Sequence, residues 1–100
     1  MITSTELAQA LRQQFPKSLK QVIVFGSRAR GDAARESDWD CLLIFDRVTP
    51  TIKTQLDHLA GQQLLEEGLV LSCIPISEAD LPRLSLEPFV LNARKEGLVL

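Results

Sequence analysis

The sequence lacks a basic excess, a long apolar run and any internal repeat or low-complexity tract. Eleven Lys and Arg against thirteen Asp and Glu leave a formal charge of −2, so there is no positive field to hold a nucleic-acid backbone. Direct nucleic-acid binding is not expected, and any phosphate must be met locally. No apolar stretch approaches the roughly 20 residues that a membrane-spanning helix needs, which disfavours a membrane role. The first residues, MITSTELAQALRQQ, lack the charged-then-apolar order of a signal peptide. The cytoplasm is the expected compartment. Only two cysteines occur, Cys41 and Cys73, each inside an apolar run, which predicts reduced, buried thiols. The single histidine, His58, falls off the apolar stripe of its helix and is expected at the surface.

What is present is enough for one core. A chain of 100 residues with 45% hydrophobic and 24% charged side chains is ordinary for a globular domain and argues against disorder. Residues 1–100 are therefore expected to form a single domain.

Thr3 with Glu6 three positions on reads as a helix cap, and Leu7, Ala8, Leu11 and Phe15 then form an apolar stripe that Pro16 ends. Leu19 to Phe25 reads as a strand covered on both faces and central in its sheet, because Val22-Ile23-Val24-Phe25 has no polar alternation. Residues 28–36 are polar and predict a loop or short helix. Trp39 to Phe45 is a second strand, with Asp38, Asp40, Leu42 and Ile44 on one face and Trp39, Cys41, Leu43 and Phe45 on the other. Trp39 is expected to pack in the core.

Thr49-Pro50 supplies a cap and first-turn proline for a long helix whose stripe is Ile52, Leu56, Leu59, Ala60 and Leu64, stopped by Gly68. Leu69 to Ile76 is a third strand, in which Ser72 is the clearly polar side chain. Ser77 and Asp80 cap a short turn before Pro82. A last helix runs from about Leu86 to Glu96, and Leu98-Val99-Leu100 is either an edge strand or a patch for a partner. The order predicts an α/β fold, a small mixed β-sheet flanked by helices.

The stretch VIVFGSRARGDAARESDWDCLLIF, from Val22 to Phe45, carries the chemistry. One strand ends in Gly26-Ser27, and a second opens with Asp38 and Asp40 at spacing two, which places their Cα atoms about 6–7 Å apart on one face. Two carboxylates that close repel by roughly 2–3 kcal/mol at an effective dielectric near 20. Such a pair calls for a cation between them or a raised pKa on one. A loop leaving through Gly26-Ser27 exposes N–H groups and a hydroxyl to an anion. A phosphate at Ser27 and a divalent ion on Asp38 and Asp40 would share one site, which suits phosphoryl or nucleotidyl transfer. Arg28 and Arg30 are further candidates for nucleotide contact, Arg30 the stronger because Gly31 lets the loop bend beside it.

Gly26-Ser27, ten residues, then Asp38-x-Asp40, with Arg28-Ala29-Arg30-Gly31 and Ser37 between, resembles the signature of the DNA polymerase beta-like nucleotidyltransferase superfamily. Within it the chain is similar to the minimal nucleotidyltransferases, or MNT domains, over nearly its whole length, the LVLSCIPIS strand and terminal FVLNARKEGLVL included. The resemblance implies the nucleotidyltransferase fold, Mg²⁺ at Asp38 and Asp40, and an NTP, usually ATP, held by Ser27 and the backbone after Gly26. It also implies a helical HEPN-family ribonuclease toxin as partner, neutralised in some members by transfer of AMP to a tyrosine, so that this chain would be an antitoxin. Homo- and hetero-oligomers are both left open.

The chain departs from that family at one place. Active members commonly carry a third carboxylate on a neighbouring strand, and the candidate position here holds Ser72. A serine is a poor Mg²⁺ ligand or base, so Glu66, Glu67 or a partner residue would have to supply the group. Three readings follow: an adenylyl-transferring enzyme, a nucleotide-binding antitoxin that masks its partner, and, with less room in so short a chain, a transferase acting on tRNA or a small antibiotic.

Overall fold

In a computed structural model of the chain, which describes residues 3–26 and 38–100, helix α1 (Ser4–Gln14) precedes strand β1 (Leu19–Phe25) and strand β2 (Trp39–Phe45). Helix α2 (Pro50–Glu67), strand β3 (Leu71–Ser77), a 3₁₀ turn (Glu78–Asp80), helix α3 (Pro88–Glu96) and a short strand β4 (Leu98–Val99) follow. The sheet order is β3-β2-β1-β4. β1 is antiparallel to β2 and to β4, whereas β2 and β3 are parallel. The sheet is therefore mixed, as expected, with β1 and β2 central.

α1, α2 and the 3₁₀ turn each begin where a side-chain oxygen meets an orphan N–H group, whereas α3 starts at Pro88 with no side-chain cap. Thr3 Oγ1 accepts from the Glu6 N–H at 3.1 Å, and Thr49 Oγ1 accepts from the Ile52 N–H at 3.2 Å ahead of Pro50. Ser77 Oγ accepts from the Asp80 N–H at 3.3 Å. α2 stops at Gly68, whose φ of 64° only glycine adopts freely.

The alternation along β2 divides the core into two. Trp39, Cys41, Leu43 and Phe45 join Val22 and Val24 of β1 under α1 and α2, against Leu7, Leu11, Ile52 and Leu56. Phe15 meets Phe45 edge-on, with ring centroids 5.2 Å apart, an arrangement that aligns the positive ring edge with the partner's negative face. Leu42 and Ile44 join Ile23 and Phe25 on the opposite face, under Val90 and Ala93 of α3. The uninterrupted apolar run of β1 thus reflects helices on both faces. α3 comes close at Gly97, where a Cβ would collide with Ala93 O and with Ile23 Cγ2.

Three boundaries differ from the sequence reading. The third strand runs from Leu71 to Ser77, its start delayed because Leu69 N–H donates to Gln63 O to close α2. The last helix starts at Pro88, leaving Leu86 82% exposed; proline marks the first turn more sharply than the apolar spacing does. The stripe of α2 is buried through Leu59, but Ala60 is half-buried and Leu64 is 54% exposed. An 18-residue helix extends about 27 Å, beyond a seven-residue strand of about 23 Å. His58 is exposed and Trp39 is buried, both as expected.

The terminal apolar segment is an edge strand. Ile23 pairs with Val99 and Val24 with Leu98, and Leu100 N–H donates to Val22 O at 2.8 Å. Arg12 Nη2 adds a bond to Leu100 O at 2.6 Å. The opposite edge is β3, where Pro75 removes one ladder donor from the open side.

Candidate active site

The end of β1 and the start of β2 lie side by side because the register pairs Phe25 with Asp40. Gly26 leaves β1 with φ at 77°, and its α-carbon faces the Asp40 carboxylate so closely that a Cβ there would lie 2.5 Å from Asp40 Oδ2. Glycine is needed here for two reasons: its backbone angle, and the space that Asp40 occupies. The sequence suggested room for an approaching anion. The structure adds that an acidic side chain of the protein already uses part of it.

Asp40 lies on the sheet face of Leu42 and Ile44, as the strand alternation predicts, with Asp38 just before the strand. Burial first, and the nearby Asp38 charge second, raise the Asp40 carboxyl above the ordinary Asp range. The Asp38 charge thus acts on Asp40 in the sense that the spacing suggests, as the lesser of the two causes.

On the other side of Asp40 stands Ser72. β2 and β3 run parallel with Asp40 opposite Ser72, and Ser72 is exposed. The side chain opposite Asp40 on the neighbouring strand is thus a hydroxyl and not a carboxylate. Glu66 and Glu67, the alternatives within the chain, end α2 and are exposed. Among the described residues no group of three or more His, Cys, Asp or Glu side chains is gathered. Ser27, Arg28 and Arg30 lie outside the described residues, as do Gly31 and Ser37.

The donor set fits Mg²⁺. That ion is usually held by one or two carboxylates, with waters and substrate phosphates completing its octahedron. Asp38 and Asp40 offer two hard oxygen donors, partly exposed, with a charge that a cation would relieve. One pleat further along the same face, Ile23, Leu42, Leu81 and Arg94 line a cleft of about 250 Å³.

A family model described as "Nucleotidyltransferase domain" matches residues 4–99. The chain belongs to the nucleotidyltransferase domain family, and its class of chemistry is nucleotidyl transfer. It is 34% identical over 98 residues to the Methanocaldococcus jannaschii protein named "Putative protein adenylyltransferase MJ0604", covering 95% of this chain and 91% of that one. Its fold matches that of a toxin–antitoxin structure, MntA–HpeT, with a TM-score of 0.66 at 18% identity, covering 98% of this chain and 72% of that one. A toxin–antitoxin structure with AMP-PNP matches equally, with a TM-score of 0.66 at 20% identity and the same coverage. No helix among the described residues is long and apolar enough to cross a membrane.

Two outcomes test this geometry. Since the folded-state pKa of Asp40 is raised, the ionised carboxylate opposes folding, and its neutral form favours the folded state. Asp40→Asn should then stabilise the metal-free protein at pH 7 by a few tenths of a kcal/mol, a small figure because the group is partly exposed and screened. The gain should vanish below pH 3.8, where the unfolded chain's Asp is protonated as well; urea titrations at both pH values measure it. Gly26→Ala should cost about 1–2 kcal/mol for the left-handed backbone alone and displace the Asp40 carboxylate, weakening Mg²⁺-dependent nucleotide binding in a calorimeter.

Proposed function

We propose that this chain transfers AMP from ATP to a hydroxyl on a protein partner, with Mg²⁺ held by Asp38 and Asp40. The observation that carries the proposal is the Asp40 carboxylate packed against the Gly26 turn with Asp38 beside it. The protein adenylyltransferase name of the 34%-identical relative supports AMP and a protein acceptor. The AMP-PNP in a structure of the same fold supports an adenine nucleotide.

In this reading the Gly26 and Ser27 N–H groups and the Ser27 hydroxyl hold the outer phosphates, and Arg28 and Arg30 offset their charge. Mg²⁺ at the two carboxylates would supply charge neutralisation at the α-phosphate. The acceptor oxygen forms a bond to the α-phosphorus as the bond from that phosphorus to the α–β bridging oxygen breaks. Pyrophosphate departs, and the hydroxyl proton passes to a base or to water. The likeness to MntA–HpeT supports a toxin as acceptor, and we assign it to the HEPN family on the resemblance read in the sequence. The chain is then a cytoplasmic antitoxin.

Ser72 favours a second reading, in which the nucleotide site is kept and neutralisation comes from complex formation. Ser72 pairs with Asp40 in the parallel register and carries no carboxylate that could serve as base or third metal ligand.

Incubation with Mg²⁺, α-labelled ATP and the protein encoded beside this one separates the two readings. Adenylyl transfer predicts label on the neighbour, lost in an Asp38→Asn, Asp40→Asn double variant; a tight unlabelled complex that the double variant also forms contradicts it. Ser72→Asp should raise the transfer rate at least about 10-fold if the missing carboxylate limits catalysis, measured as initial rate at saturating ATP.

A further inference from the structure

Cys41 and Cys73 face each other across the parallel β2–β3 register. Neighbouring strands lie about 4.8 Å apart, inside the range of about 4.4–6.8 Å over which Cα atoms accept a disulfide. Both side chains point to the α1–α2 face of the sheet, Cys41 wholly buried and Cys73 half-buried against the same core. As register partners on one sheet face, the two thiols lie side by side. Cys73 also lines an open cleft of about 250 Å³ with Lys53, Leu56, Asp57 and Pro75, which gives a small reagent a path to one sulfur. Cys41 has no such opening.

We infer that Cys41 and Cys73 form a reversible disulfide modification site, closed by hydrogen peroxide entering at Cys73, that fastens the edge strand β3 to β2 behind Asp40 and Ser72. The Cys73 sulfur attacks one peroxide oxygen, the O–O bond breaks, and the thiol proton leaves with the other oxygen as water, giving a sulfenic acid. The Cys41 sulfur then displaces the sulfenic oxygen, which leaves as a second water with the Cys41 proton. Two thiols are oxidised by two electrons and one peroxide is reduced to two waters. A thiol reductant reverses the bond by exchange. The link joins residues directly after Asp40 and Ser72, on the opposite sheet face, so it fixes the backbone spacing at the site without occupying it.

Hydrogen peroxide added to the intact folded chain tests this. The expected product is a monomer lighter by about 2 Da with no alkylatable thiol, a 41–73 cross-linked peptide in a non-reducing digest, and full recovery with dithiothreitol. Cys73→Ala should leave Cys41 alkylatable after unfolding and unoxidised at the same peroxide dose. β3 amides should exchange at least about 10-fold more slowly in the oxidised form, because local opening of the edge is blocked. A wild-type chain that stops at oxygen adducts of about 16 or 32 Da, links to a second chain, or keeps both thiols at doses that oxidise free cysteine would overturn the assignment. Equal β3 exchange in both forms would overturn the fastening.

Discussion

The arrangement rests on an electrostatic conflict that the fold imposes. Asp40 is held in the β2 ladder by its register with Phe25 on one side and Ser72 on the other, two residues from the charge of Asp38. Burial and that neighbour both disfavour its charge. Functional sites commonly keep charge placements that oppose folding, since a ligand can relieve them. Protonation of Asp40 is one relief, and a cation between the two carboxylates is the other.

The architecture makes this corner from three chain segments with few spare parts. An antiparallel pair puts the exit of β1 next to the entry of β2, and the parallel crossover through α2 adds β3 on the far side. Apolar side chains then hold both sheet faces: α1 and α2 cover one, α3 the other. The carboxylates sit where the β2 alternation reaches the end of its apolar cover. Phe25 and Leu42 pack beneath α3, and Asp40, next in the same row, meets the glycine turn instead. Position along a strand thus separates core from chemistry.

Much of this was legible in residue order. The caps at Thr3, Thr49 and Ser77, the stop at Gly68, the double-sided burial of β1 and the face division of β2 follow from local rules. So does the place of Asp40 on the face of Leu42 and Ile44, which needs only the strand period. Relations between strands were harder to read. The parallel register that sets Ser72 opposite Asp40 and Cys41 opposite Cys73 depends on how α2 returns the chain, although each cysteine stands third in its strand. The exposure of Leu64 likewise follows from helix length against strand length, which hydrophobic spacing does not encode. The contact between Gly26 and Asp40 is a tertiary fact, invisible until the two strands are paired.

The central claim is that the two carboxylates grip a magnesium-bound triphosphate. Calorimetric titration of ATP into the protein, with Mg²⁺ and then with EDTA in its place, measures that directly. The account predicts saturable one-site binding with Mg²⁺, and binding at least about 10-fold weaker both without the metal and when Asp38 and Asp40 are replaced by Asn. Binding that is equally tight with EDTA, or no binding under either condition, would contradict it.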